Sequence, residues 1–337
     1  MSIMKEVIKN INRPHWLDLI ERSNKIEKGY LSLDRNENLD EIYRNKIVNI
    51  LTSEIDLSRF YQYTDYYKYY KQLSDFLNIN IDNILITGGC DGAIRVAFES
   101  ILYKNNYLSI SPTYRGAECN AADLEVTHYK VDEDEDNIIT DIKKYKPSLF
   151  YICSPNNPTG KVYSEYFIET LCKKFPDTYI FIDNTYADYT DISYHNFLKY
   201  KNCLIAKSFS KVWGLAGMRM GLLLGHKETI YNITKIRPMM SVSFITLELV
   251  SYLINNYSIV KDTIKRNKDG IDFIYKYFSN CNIYTEPFIN HIIFDPPNGL
   301  VKKLNSQKIL YPVRKDYSNK AIKLTTMPIN QCLSILK

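Results

Sequence analysis

The sequence predicts an α/β protein with a mostly parallel central sheet in a large domain and a smaller α+β domain. Three observations carry this. From about Leu73 to Gly225, short apolar runs alternate with amphipathic stretches, the pattern of βα units. Two long helical stretches follow, roughly Phe244–Asn255 and Tyr257–Phe278. The tail from Cys281 then alternates short strands with helices.

Taken in order, the strands of the large domain are Ile84–Thr87, Tyr107–Ile110, Leu149–Cys153, Tyr179–Ile182, Leu204–Ala206 and Met220–Leu224. Helices are expected over Gly92–Tyr103, Glu165–Lys174 and His226–Lys235, and tail strands over Ile292–Phe294, Ile309–Val313 and Ile322–Thr325. This divides the chain into an N-terminal arm with part of the small domain (1–35), a large domain (36–235), and interdomain helices with the small domain (236–337). Phe60 to Tyr70, FYQYTDYYKYY, reads as core or interface, because aromatic clusters usually are. The acidic run Asp132–Asp136 reads as a solvated loop.

Composition excludes several classes. With 45% apolar and 24% charged residues over 337 positions, disorder is not the main state. The 43 Lys and Arg against 38 Asp and Glu leave +5 with no basic arm, which argues against nucleic-acid binding. Seven cysteines without a CxxC pair suggest neither disulfides nor a metal site, and a reducing cytoplasm fits. The opening MSIMKEVIKNINRPHW has no apolar stretch long enough for a signal peptide. Met239 to Val260 carries one charge but four Ser, one Thr and two Asn, so it reads as a buried helix and no membrane partner is expected.

Four segments fall at the carboxyl ends of expected strands, where open α/β sheets place ligands. The first is GGCDG, where Gly88 and Gly89 permit a tight turn and the helix from about Asp91 offers free N–H groups to an anion. The second is SPNNPTG, Ser154 to Gly160, a rigid turn expected to expose Asn156 and Asn157. The third is Asp183 with Asn184, Thr185 and Tyr186; an Asp ending an apolar strand is costly to bury unless it meets a cation or proton donor. The fourth, KSFSKVWGLAGMRMG, supplies Ser208, Ser210, Lys211 and Arg219. Two hydroxyls, an arginine and a helix N-terminus suit a dianionic phosphate. A lysine near other cations loses its proton more easily and suits Schiff-base chemistry. The acid could keep a pyridine nitrogen protonated. Taken singly, the Lys could be a surface charge and the Asp a helix cap.

At these residues the chain resembles the fold type I pyridoxal-phosphate aminotransferases, most closely the histidinol-phosphate aminotransferase group. The resemblance runs from LDRNEN at Leu33–Asn38 to IKLTT at Ile322–Thr326, and SPNNPTG and the Ser-x-Ser-Lys block are its most specific parts. It implies a fold type I transferase holding pyridoxal 5′-phosphate. Lys211 would bond the cofactor and shuttle a proton, and Asp183 would pair with the pyridine nitrogen. Asn157 and Tyr186 would bond the ring oxygen, and Tyr114 would stack on the ring. Gly89, Cys90, Asp91, Ser208, Ser210 and Arg219 would hold the phosphate. Tyr61, by ungapped spacing, matches the tyrosine that reaches into a partner subunit's site, which implies a homodimer with shared active sites; Tyr63 is the alternative. Asn36, Arg314 and Lys323 would meet substrate.

Two departures stand out. The usual Asp-Glu-Ala-Tyr is Asp183-Asn184-Thr185-Tyr186 here, and both working positions survive. Of two arginines that receive substrate anions, Arg314 matches the first, whereas Lys323 replaces the second. Lysine offers a point charge where arginine grips a carboxylate with two bonds. Arg314 is therefore expected to carry more of the substrate's anion, Lys323 either assisting or pointing to solvent. The leading expectation is a transaminase moving an amino group between a small phosphorylated amine or carbonyl compound and glutamate or 2-oxoglutarate. The alternatives are decarboxylation of a phosphorylated amino acid and a non-enzymatic cofactor-binding regulatory module. The module is disfavoured because Lys211 and Asp183 are both retained, and because the 32 residues before the resemblance are too few for a DNA-binding domain.

Overall fold

The computed structural model describes residues 20–336, so the opening stretch read for a leader, and most of the arm, lie outside the described residues. Helix α1 (Ile20–Glu27), strand β1 (Leu31–Ser32) and helices α2 (Glu41–Ser53) and α3 (Tyr67–Leu77) lead to β2 (Ile84–Thr87) and α4 (Gly89–Ile101). Then come β3 (Asn106–Ile110), α5 (Arg115–Ala121), β4 (Thr127–Val131), α6 (Glu135–Tyr145), β5 (Leu149–Cys153) and α7 (Glu165–Lys174). Strands β6 (Tyr179–Asp183), β7 (Cys203–Ser208) and β8 (Gly221–Gly225) precede helices α8 (Lys227–Thr234), α9 (Phe244–Asn255) and α10 (Ser258–Tyr277). The tail holds β9 (His291–Phe294), α11 (Leu300–Ser306), β10 (Ile309–Leu310), β11 (Ile322–Thr325) and α12 (Ile329–Leu336).

The large sheet has the order β2-β8-β7-β6-β5-β3-β4. Within it only β8 runs antiparallel to its neighbours. Inner strands such as LFYIC in β5 and GLLLG in β8 are buried throughout, as a sheet covered on both faces requires. Strands β2, β5, β6 and β7 share a direction, so their carboxyl ends gather at one edge. Around the second core, β9 pairs with β11 and β1 with β10. That core joins Leu33, Phe278, Ile292, Phe294 and Leu324. Helix α10 serves both cores, with Ile271 in the first and Ile274 in the second. Its Gly270 lies so close to the turn before α12 that a Cβ would overlap the Met327 carbonyl oxygen. Gly270→Ala should therefore cost about 1–3 kcal/mol by overpacking, read as an earlier urea midpoint with an unchanged slope.

One strand lies outside the expected set, and two expectations change. Strand β4, THYKV, carries no apolar run because it is the sheet's edge, and Val131 is its one buried residue. The acidic run is only partly a solvated loop. Asp134 caps α6 by accepting from the N–H groups of Asp136 and Asn137, both at 3.0 Å, and Glu135 and Asp136 fill the first turn, where acids favour the helix dipole. Glu133 is half-buried and accepts from Thr159 Oγ1 at 2.6 Å and Asn156 Nδ2 at 2.8 Å. The aromatic run divides: Tyr66, Tyr69 and Tyr70 pack into the first core, while Phe60, Tyr61, Tyr63 and Tyr67 are exposed. Among the described residues no helix is long and apolar enough to cross a membrane. All seven cysteines are free, and no cluster of three potential metal ligands occurs among the described residues.

Candidate active site

A cavity of about 650 Å³ opens at the edge where β2, β5, β6 and β7 end. The parallel register places Asp183 beside Cys153 of β5 and Ala206 of β7, so the last residue of β6 forms the cavity floor. Asp183 is 3% exposed and accepts from Tyr151 Oη at 2.7 Å, Thr185 N at 3.1 Å and Cys90 Sγ at 3.5 Å. Burial pushes its carboxyl above the usual range, against those hydrogen bonds. No cation among the described residues pairs with it. A buried acid facing a cavity without its counter-charge is half of an ion pair.

The second wall is built for an anion. Helix α4 starts at Gly89, and Cys90 and Asp91 line the cavity at its N-terminus. Gly89 has φ +76°, and a Cβ there would press on Arg219 Nη2 at 2.8 Å, so the glycine leaves the guanidinium its place. Ser208, the last residue of β7, accepts from Ser210 N at 3.1 Å, and both serines line the wall. Arg219 is only loosely engaged, 3.6 Å from Asp91 Oδ2 and 3.2 Å from the Ala216 carbonyl. A helix N-terminus, two hydroxyls and a loosely held guanidinium match a phosphate dianion. With the unpaired Asp183, this donor set fits the phosphate and ring nitrogen of pyridoxal 5′-phosphate.

Of the two lysines in the KSFSK segment, only Lys211 lines the cavity. Lys207 is 7% exposed and pairs with Asp188 at 2.8 Å, a carboxylate that Trp213 Nε1 also reaches at 3.1 Å. Lys211 Nζ donates to the Arg35 carbonyl at 2.8 Å. Burial draws its pKa below the ordinary lysine value, and Arg219 and Arg35 add to this against Glu37 and Asp91. Tyr114 lines the same space and donates to Asp91 Oδ1 at 2.8 Å. Tyr186, 1% exposed, accepts from Asn36 Nδ2 at 3.0 Å, and burial raises its hydroxyl's pKa.

The turn SPNNPTG splits its two asparagines. Asn157 lines the cavity. Asn156, expected to be exposed, is fully buried, donating to the Pro112 carbonyl at 2.8 Å and accepting from Thr113 Oγ1 at 2.8 Å. It knits the loop together and does not face the site.

Asn36 and Lys323 meet at the far wall. Asn36 is buried at φ 56°, and its Oδ1 accepts from Lys323 Nζ at 2.9 Å. Lys323 also donates to the Asp34 carbonyl at 2.9 Å. Burial, with Arg314 and Lys211 nearby, pushes Lys323 down to about 8. Lys323 lines the cavity, half-buried, and does not extend into solvent. Arg314 does not line it. Its guanidinium is held by Asp316, at 2.9 and 2.5 Å, and lies over the Tyr317 ring at 5.0 Å. The greater share of substrate anion expected of Arg314 thus finds no support in its placement. Tyr61 and Tyr63 are 73% and 89% exposed and stand outside their own chain's cavity.

Cys153, Thr185, Arg35 and Glu37 also line the cavity and were not singled out in the sequence. Arg35 and Glu37 lie inside the LDRNEN motif. They reach the site because Leu33 N bonds the Leu310 carbonyl and Thr325 N bonds the Leu33 carbonyl, which pins this segment to the second core.

The aminotransferase class I and II family model matches residues 28–282. A histidinol-phosphate aminotransferase of Methanosphaera stadtmanae is 26% identical over 239 residues, covering 67% of this chain and 64% of that protein. The chain thus spans less than two thirds of that relative's length. The structure of a histidinol-phosphate aminotransferase from Sinorhizobium meliloti in complex with pyridoxal-5′-phosphate superposes with a TM-score of 0.82 at 16% identity, covering 99% of this chain and 96% of that one. L-threonine-O-3-phosphate decarboxylase from Porphyromonas gingivalis has a TM-score of 0.74 at 18% identity, with 91% and 97% covered. At these identities the two structures establish the fold. The family match extends over most of the chain, and the chain belongs to the aminotransferase class I and II family.

Proposed function

We propose that this protein is a pyridoxal-phosphate-dependent aminotransferase that moves an amino group between a small phosphorylated amine or carbonyl compound, such as histidinol phosphate, and glutamate or 2-oxoglutarate. The observation that carries this is a cavity joining a depressed-pKa lysine, Lys211, to an unpaired buried acid, Asp183. When bound, the cofactor supplies an aldehyde for amine exchange and a protonated ring that withdraws electrons from the substrate's α-carbon. Asp183 would hold the proton on the ring nitrogen. Tyr186 and Asn157 would bond the ring oxygen. Ser208, Ser210, Arg219 and the α4 N-terminus would anchor the phosphate, and Tyr114 would cover the ring. Lys211 Nζ would take a proton from, and return it to, the substrate's α-carbon.

The direct test adds L-histidinol phosphate to the holoenzyme and follows the cofactor's absorption. The band should change without carbon dioxide release and return with 2-oxoglutarate. Carbon dioxide release without need of a keto acid would instead identify a decarboxylase.

Lys323 makes a second prediction. Hydrogen bonds to charged groups are worth about 1.5–3 kcal/mol, so Lys323→Ala should weaken anionic substrates roughly ten- to a hundredfold. The ammonium is the binding form, so this affinity should fall as pH rises through about 8, and Lys323→Arg should remove that pH dependence. A KM that rises above pH 8 equally in wild type and Lys323→Arg would assign the effect to another group.

The exposed Tyr61 supports a homodimer, in which it would enter the partner's site. Sedimentation should give a dimer, and Tyr61→Phe should raise the concentration of cofactor needed for saturation. A fully active monomer at high dilution would contradict this.

A further inference from the structure

The far wall of the cavity holds one cation that the chain itself leaves uncommitted. Arg35 lines the cavity, its residue is exposed, and its side chain has no hydrogen bond, ion pair or ring contact among the described residues. The neighbouring acid cannot neutralise it, because Asp34 is held by Arg22 at 2.7 and 3.0 Å. Glu37, also on the wall, forms no ion pair with it. The Arg35 backbone, by contrast, is fixed. Its carbonyl accepts from Lys211 Nζ at 2.8 Å, and the next residue, Asn36, is tied by its N–H to Thr325 Oγ1 at 3.1 Å and by its amide to Tyr186. A long free guanidinium is thus mounted on the very residue whose carbonyl holds Lys211.

We propose that Arg35 is the specificity-determining receptor for the substrate's phosphate monoester, acting with Lys323 in place of Arg314. This rests on the aminotransferase reading for the reaction, but not for the binding. Arg314 has already spent its planar donor pair on Asp316. Lys323 offers a single ammonium committed to Asn36 and the Asp34 carbonyl. Only Arg35 presents a free fork, the geometry that takes two phosphate oxygens together. Arg35 belongs to the segment pinned to the second core, whereas α4, Ser208, Ser210 and Arg219 make the wall that would hold the cofactor's phosphate.

The test is calorimetric titration of the holoenzyme, with its cofactor-phosphate wall filled, by sn-glycerol 3-phosphate and by glycerol. Glycerol 3-phosphate should bind wild type saturably and glycerol should not. Arg35→Gln should weaken glycerol 3-phosphate about ten- to a hundredfold, and Arg35→Lys by less, with cofactor content unchanged in both. Equal affinity in wild type and Arg35→Gln, or no saturable binding to wild type, overturns the proposal. If Arg35→Gln loses binding while histidinol phosphate leaves the wild-type absorption unchanged, the receptor stands and the aminotransferase reading falls.

Discussion

Lys211→Ala is expected to bind pyridoxal 5′-phosphate yet lose turnover by at least about 10³-fold, in the upper part of the range that a positioned proton carrier supplies. Borohydride should fix the cofactor to the peptide holding Lys211 in wild type and to nothing in the variant. Label on Lys207 would refute the assignment, although its pairing with Asp188 leaves it no path to the cavity. The pH sign follows from burial. The neutral amine is the attacking form, and Lys211 is held below the ordinary lysine value of 10.5, so the rate of covalent attachment should rise with pH and level off below 10.5. A profile still climbing at that pH would mean that the reacting amine is solvated.

Asp183→Asn should keep the fold and lose about 10²–10⁴-fold in turnover, because breaking one side of a buried ion pair costs roughly 3–5 kcal/mol. The amide is the same size; its Oδ1 can accept from Thr185 N, and its Nδ2 can donate to the Tyr151 hydroxyl once that hydroxyl turns, so melting of the apoprotein should change little. What it cannot do is hold a proton on the ring nitrogen. Without a counter-cation the carboxyl's pKa is raised by burial, and a bound pyridinium should bring it down. Cofactor affinity should therefore rise with pH as Asp183 ionises in wild type, and this dependence should vanish in the variant. Near-normal turnover by Asp183→Asn would remove the electron-sink role.

Much of the cavity's lining was readable from short segments. Asp183 was marked by an acid closing an apolar strand, and the anion wall by Gly-Gly before a helix and by paired serines after a strand. The misreadings share a cause. Asn156 and Asn157 are chemically equal neighbours in one turn, and only contacts with Pro112, Thr113 and Glu133 bury the first. Glu133 was read as one more solvated acid because its partners lie over twenty residues away.

From the sequence alone followed the α/β class, the inner strands, the long helices and the segments that meet at the cavity, because apolar periodicity and turn chemistry act between residues a few positions apart. Tertiary structure alone decided which cations are free. It paired Arg314 with Asp316, Lys207 with Asp188 and Arg22 with Asp34, turned Lys323 into the cavity, and left Arg35 open there. Long cationic side chains have the reach and rotamer freedom to choose among several partners, and packing between distant segments sets which partner each one meets.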